Sequence, residues 1–258
     1  MKPLTLILRC AGTNCDGETA HAFELAGART ERVHVNRLLE NPSILNDAQM
    51  LAFPGGFSYG DDINSGRILA NQLRHHLAEP LREFIAAGKP VIGICNGFQV
   101  LVKTDLLPGP LAGKTGQTCT LAHNDSGRFI DRWVSLDPVG SKCIWTAGLA
   151  PLELPIAHGE GKFVPANDEV RKALFANDQV ALLYTGNDKH VNGSTDAIAG
   201  VCDASGLVFG LMPHPERYVD PTQHPAWTRQ KPLPEVGAGL AIFNNAVQYV
   251  KQAIGAGV

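Results

Sequence analysis

The chain has 258 residues, 44% of them apolar and 18% charged, the composition of a globular protein rather than of a disordered or collagen-like chain. Twenty-two basic against twenty-five acidic residues leave a formal charge of −3, so no basic excess supports binding to nucleic acid or to an anionic membrane. No uncharged apolar stretch approaches the roughly 18 residues a membrane span needs.

Leu4–Leu8 is too short an apolar run for a signal peptide and reads as a first strand; the expected address is the cytoplasm. Glu18–Ala26 has a helical pattern and stops at Gly27, and Arg32–Val35 is a weaker strand. Met50–Phe53 is a strand that runs into the turn Pro54-Gly55-Gly56. Leu69, Leu73, Leu77, Leu81, Phe84 and Ile85 recur at helical spacing, with Pro80 expected to break or kink the helix and Gly88 and Pro90 to end it. Val91–Ile94 is a buried-type strand followed at once by a helix around Phe98–Leu101. Such alternation of strand and helix predicts a parallel sheet covered on both faces.

Beyond Pro108 the texture changes. Phe129–Leu136, Leu154–Ala157, Val180–Tyr184, Ile198–Cys202 and Leu207–Met212 read as strands with no long helix between them, which predicts antiparallel additions to the sheet. Tyr218–Gly237 contains Pro221, Pro225, Pro232 and Pro234 and is expected to be an irregular surface excursion, either a strap or a partner contact. A helix over about Leu240–Ala253 closes the chain. There are no internal repeats, and one domain over residues 1–258 is expected.

Six cysteines without a signal peptide or a C-x-x-C pair are expected to be reduced thiols, of which one or two do chemistry. Cys95 stands out. Gly93-Ile94-Cys95-Asn96-Gly97 joins a strand to a helix, the thiol counterpart of the G-x-S-x-G nucleophile elbow. Its glycines permit a sharp turn that lifts the sulfur above the sheet at a helix N-terminus, where the dipole favours thiolate. A thiolate nucleophile needs an imidazole, and the imidazole needs an acceptor that fixes its tautomer. Met212-Pro213-His214-Pro215-Glu216 offers both, since the proline restricts the backbone so that Glu216 can turn back onto the His214 ring. The His-x-Glu spacing also occurs in zinc deaminases, but these require Pro-Cys-x-x-Cys downstream and no cysteine follows Glu216, so no metal is expected. Phe53-Pro54-Gly55-Gly56-Phe57 is either a plain turn or a place where main-chain N–H groups approach an oxyanion. It lacks the G-K-[ST] ending of a phosphate loop.

With these three pieces in this order, the chain resembles the class I, triad-type glutamine amidotransferases. Within them it is most similar to the glutaminase subunits of phosphoribosylformylglycinamidine synthase. The resemblance runs nearly end to end. Its carriers include Cys10-Ala11-Gly12-Thr13-Asn14-Cys15-Asp16, Gly56-Phe57-Ser58-Tyr59-Gly60-Asp61, Asn124-Asp125-Ser126-Gly127-Arg128-Phe129, Ala157-His158-Gly159-Glu160-Gly161 and Met212-Pro213-His214-Pro215-Glu216-Arg217. One departure is His190-Val191-Asn192-Gly193-Ser194, where the family often has Asn-Pro-Asn-Gly-Ser.

The resemblance implies an α/β, flavodoxin-like fold with a mostly parallel central sheet, helices on both faces and extra antiparallel strands in the second half. It also implies Cys95 as nucleophile, His214 as acid and base and Glu216 as its orienting partner. Gly56 and Asn96 would supply the oxyanion hole, and Gly55, Gln99, His158 and Gly159 would line a glutamine pocket. The implied reaction is hydrolysis of glutamine through a cysteinyl thioester. Its ammonia would pass to a separate synthetase chain that uses ATP and Mg²⁺, with a small bridging subunit in the same enzyme. No cofactor is expected on this chain. No chemistry is expected of Cys10 or Cys15, which are read as packing under the first loop. Three alternatives stay open: a glutaminase subunit of another pathway, a redox-responsive cysteine protein on the same kind of elbow, and a catalytically silent scaffold for a synthetase.

Overall fold

A computed structural model describes residues 2–256 other than Ala112 and Thr115. The first part runs β1 (Leu4–Arg9), α1 (Asp16–Leu25), β2 (Arg29–His34), α2 (Val35–Glu40), α3 (Ile44–Asp47), β3 (Met50–Phe53), α4 (Arg67–His76), α5 (Ala78–Ala86), β4 (Val91–Ile94) and α6 (Asn96–Lys103). The second runs β5 (Cys119–Ala122), β6 (Ile130–Pro138), β7 (Leu152–His158), β8 (Lys162–Pro165), α7 (Asp168–Ala176), β9 (Val180–Tyr184), β10 (Ile198–Cys202), β11 (Val208–Leu211) and α8 (Leu240–Ala256).

Nine strands form one sheet in the order β2-β1-β3-β4-β11-β10-β9-β6-β7. From β2 to β11 every pairing is parallel; from β11 to β7 every pairing is antiparallel. β3, β4 and β11 are buried at every residue, as strands covered on both faces must be, and their sequences are accordingly continuous apolar runs. β7 instead alternates buried and half-buried residues along its inner part. The five parallel strands have the flavodoxin-like order, in which the connections reverse direction between β1 and β3. A crevice therefore opens beyond the carboxyl ends of these strands. Helix α6 packs on β3, β4 and β11, while α1 packs on β1 and β2 and against α8.

Several expectations shift in detail. The helix broken by Pro80 breaks earlier, at Leu77, which caps both α4 and α5; Pro80 sits in the first turn of α5, where no intrahelical N–H bond is lost. The second part does contain a helix between strands, the nine-residue α7. Asn167 caps it by accepting from the Val170 N–H, and only Val170 and Leu174, one turn apart, are buried, too few to stand out as a pattern. β5 and β8 form a separate two-stranded ribbon. The Tyr218–Gly237 excursion holds two 3₁₀ turns and is tied at its neck, where Gly237 N–H donates to Val219 O and Gly239 N–H to Tyr218 O, both at 2.9 Å. Among the described residues, no helix is long and apolar enough to cross a membrane.

Candidate active site

Cys95 sits between β4 and α6 with φ +52° and ψ −106°, a strained conformation for a residue with a Cβ. The glycines around it explain how the turn closes. A Cβ on Gly93 would lie 2.6 Å from Gly97 O, and one on Gly97 would run into the Phe53 carbonyl at the end of β3. The elbow is anchored by Cys95 N–H donating to Leu211 O at 2.8 Å, the last residue of the neighbouring β11. The chain leaving β11 carries His214 and Glu216, so a register between two parallel strands brings residues 95 and 214 to one crevice.

His214 and Glu216 are each 2% exposed. His214 Nδ1 and Glu216 Oε1 are 2.6 Å apart, which leaves Nε2 as the free face of the ring; it is buried and has no hydrogen-bond partner. Burial alone would push the imidazole down, but the Glu216 carboxylate and the Cys95 sulfur outweigh it and hold His214 well above the ordinary histidine range. Gly55 explains how the ring fits. A Cβ there would lie 2.8 Å from His214 Cε1, 3.1 Å from Cys15 Sγ and 3.5 Å from Cys95 Cβ. All three side chains therefore border the space that this glycine leaves open. Cys95 Sγ itself points to Ala157 O at 3.6 Å, so the resting thiol donates to β7 rather than to the ring.

Gly56 has φ +140° and bridges to Thr13, and a Cβ on it would meet Gly12 O at 2.7 Å. It lines the crevice beside Cys95. Asn96 opens α6, so its main-chain N–H belongs to the first turn and has no intrahelical acceptor. Its side chain is occupied elsewhere: Oδ1 accepts from Ser58 N–H at 3.2 Å, and Nδ2 donates to Asp61 Oδ1 at 3.1 Å and Gln99 Oε1 at 2.9 Å.

Two cavities of about 200 Å³ each meet at Cys95. One is lined by Gln99, His158 and Gly159, the residues that sequence resemblance placed at a glutamine pocket, together with Asp61 and Glu160. Gly55 lies at the other cavity's side of the sulfur, against His214. His158 is 3% exposed, and burial pushes its imidazole down to about 4, so it is neutral at physiological pH. Asn124 fixes it: Oδ1 lies 3.1 Å from His158 Nδ1 and Nδ2 donates to His158 O at 2.8 Å. The segment Asn192-Gly193-Ser194 supports the same wall, with Asn192 Nδ2 donating to Gly161 O at 2.8 Å. The missing proline of that stretch leaves this bond in place. A larger cavity of about 350 Å³ lies between Leu152, Tyr218 and His224, away from Cys95, and has no cysteine in its walls.

Some site residues were not expected. Asp61 stands on three consecutive left-handed residues, Tyr59, Gly60 and Asp61, and burial raises its carboxyl above the usual range. Glu160 Oε2 accepts from Asn64 at 3.1 Å. Cys15, read from sequence as packing, borders the second cavity with His214 and Arg217, whereas Cys10 does pack in the first loop, against Thr13. All six cysteines are free and buried.

The sequence profile of the CobB/CobQ-like glutamine amidotransferase domain matches residues 2–250. The chain is 49% identical to phosphoribosylformylglycinamidine synthase subunit PurQ of Dehalococcoides mccartyi, over 97% of this chain and 99% of that one. It belongs to the PurQ family. A second PurQ, from Methanococcus maripaludis, is 38% identical over 96% of the chain and 97% of its own length. Among solved structures, a chain of PurLQS from Thermotoga maritima superposes with a TM-score of 0.75 at 33% identity, covering 96% of this chain and 99% of that one. PurQ chains are the glutamine amidotransferase subunits of an enzyme of purine biosynthesis, and this separates the chain from glutaminases of other pathways.

Proposed function

We propose that Cys95, His214 and Glu216 carry out glutamine hydrolysis in this PurQ, with Gly56 and Asn96 N–H groups receiving the oxyanion. With its thiol proton taken up by His214 Nε2, Cys95 Sγ attacks the side-chain amide carbon as the thiolate, and the carbonyl electron pair moves onto oxygen against the two N–H groups. His214, protonated at Nε2, gives its proton to the departing nitrogen; ammonia leaves and a glutamyl thioester remains. Water then loses a proton to Nε2 and attacks the thioester, releasing glutamate and the Cys95 thiol. Glu216 keeps the proton on Nδ1 and stabilises the imidazolium. The observation that carries this reading is the 2.6 Å His214–Glu216 pair, whose free Nε2 is buried on the side of a thiol held at φ +52°. For Cys95 to reach Nε2, its sulfur must turn away from Ala157 O. That reorientation is a physical basis for low activity in the isolated chain.

Gln99, His158, Gly159 and Gly55 surround the glutamine. The cavity lined by Gln99, His158 and Gly159 carries the Asp61 and Glu160 carboxyls, which suit an α-ammonium group, while Gly55 lies across the sulfur from it. The ammonia passes to a synthetase chain, with a small bridging subunit completing the assembly, as the name PurLQS suggests for the Thermotoga maritima complex. ATP and Mg²⁺ belong to that synthetase and no cofactor to this chain, in keeping with the absence of a phosphate loop from the sequence. The reaction is placed in the cytoplasm. Glutamine-dependent and ammonia-dependent synthesis by the assembled enzyme test the reading together. Cys95→Ala should abolish the first and leave the second; survival of both would remove Cys95 from the mechanism.

A further inference from the structure

The second thiol of the crevice has no task in this chemistry. Cys15 precedes α1 and is 1% exposed. Its sulfur accepts from Arg217 Nη2 at 3.1 Å and faces Asn14 Oδ1 at 3.2 Å, in the cavity it shares with Cys95 and His214. Ligand atoms of Cys15, His214 and Glu216 all lie within 4.8 Å of one another. Among the described residues, the buried His214 Nε2 and Glu216 Oε2 there have no hydrogen-bond partner. A buried ring nitrogen with no hydrogen-bond partner, next to a sulfur, becomes a coordination position once a metal displaces its proton.

We propose that Cys15 and His214, joined by the Cys95 sulfur once it turns from Ala157 O into the shared cavity, form an inhibitory site for a soft divalent cation, zinc foremost. Sulfur and imidazole are the ligands that zinc prefers, and two sulfurs with one nitrogen leave a fourth tetrahedral position for water. Glu216 at Nδ1 is the carboxylate that orients a metal-bound histidine from behind. Binding displaces the Cys15 and Cys95 thiol protons to solvent, and His214 Nε2 must be unprotonated. Arg217 is the opposing charge, but its side chain is 32% exposed and already reaches Glu18 at 3.2 Å, so it has room to swing outward. A cation here ties up both the nucleophile and the acid/base, which stops hydrolysis. Magnesium, which seeks octahedral oxygen ligands, finds none of its geometry here and leaves the reaction untouched.

The inhibition rests on the proposed roles of Cys95 and His214; the binding does not, so the two are read separately. Metal-free protein titrated with Co²⁺ should show thiolate-to-cobalt charge-transfer absorption, and competition with a chromophoric chelator should give the Zn²⁺ affinity. Cys15→Ser and Cys15→Ala should weaken zinc by more than the ~10–100-fold that loss of an outer-shell partner costs. Cys10→Ser should bind zinc as the wild type does. Glutamine hydrolysis, expressed against each variant's own metal-free rate, should fall with Zn²⁺, recover with chelator, and need correspondingly more Zn²⁺ in the Cys15 variants. Equal zinc affinity in wild type and both Cys15 variants, or a cobalt complex without a thiolate band, would overturn the site. Full zinc occupancy with hydrolysis intact would overturn the inhibition. Cys15-dependent binding in a protein that still hydrolyses glutamine after Cys95→Ala would refute the mechanism and leave the cation site standing.

Discussion

The two walls of the crevice are held by different physics. On the parallel side, backbone geometry does the placing: Cys95 at φ +52°, Gly56 at φ +140°, and glycines 93 and 97 whose missing Cβ atoms let β4, α6 and β3 close together. On the antiparallel side, polar side chains do it. Asn124 and Asn192 tie the loops after β5 and β9 to the one after β7, and Gln99 Nε2 reaches across from α6 to Glu160 O. The walls join where His214 N–H donates to Pro155 O at 2.8 Å and Cys95 Sγ to Ala157 O. The reacting groups thus rest on the rigid sheet, while the surface that meets the substrate rests on bonds that single substitutions remove.

The sharpest way to break this contrast is to change charge on the rigid side without changing shape. Glu216→Gln should lower kcat by about 10²–10⁴-fold, the usual worth of positioned acid–base help. The KM for glutamine should move little, because Glu216 lies behind the ring and away from the glutamine cavity. The pH profile carries the sign. Glu216 raises His214, so removing its charge should shift the alkaline limb of kcat/KM to lower pH. An unchanged limb would mean that the imidazole does not depend on this carboxylate.

The other wall has its own titration. His158 is depressed from 6.5 to about 4, chiefly by burial and then by His214. Between those values the unfolded chain binds the proton and the folded chain does not, so stability is full above pH 6.5 and falls as the pH drops toward 4. The full loss is about 3 kcal/mol. His214 is raised, so both of its states are already protonated in that window and it adds no slope there. Asp61 and Asp105, raised by burial, work in the opposite sense. The difference between wild type and His158→Gln therefore isolates one group. Denaturant unfolding at pH 7 and near pH 4.5 should show the variant losing less stability on acidification. An equal loss would place the acid sensitivity elsewhere.

The same division decides what the sequence made legible. Cys95 and His214 stand out because the residues that position them are their immediate neighbours, flanking glycines in one case and prolines in the other. The sheet's parallel half was readable because strands covered on both faces are continuous apolar runs, as Met50–Phe53 and Val91–Ile94 are. Cys15 was not readable as a site residue. Its partner Arg217 lies 202 positions away, and nothing in Asn14-Cys15-Asp16 requires chemistry. Helix α7 escaped because two buried residues make no stripe. The supporting role of Asn192 showed only as a family stretch with its proline missing, since a side chain that braces a distant loop leaves no periodic trace.

Asn124 sharpens the comparison at its finest grain. It is 2% exposed and its side chain makes four contacts: to Arg128 O at 2.9 Å, His158 O at 2.8 Å, Gly161 N–H at 3.1 Å and His158 Nδ1 at 3.1 Å. None of them touches Cys95, His214 or Glu216. Asn124→Ala leaves buried donors and acceptors unpaired, which costs about 1–3 kcal/mol. That cost falls on the loops bearing Phe129, His158 and Gly159, so it should appear as a raised KM for glutamine with kcat close to wild type. Asn124→Asp should recover part of it, because a carboxylate still accepts from Gly161 N–H while losing the donors to Arg128 O and His158 O. A fall in kcat with unchanged KM would show that the side-chain-built wall positions the reacting sulfur after all, through the Ala157 carbonyl, and that the two walls act as one.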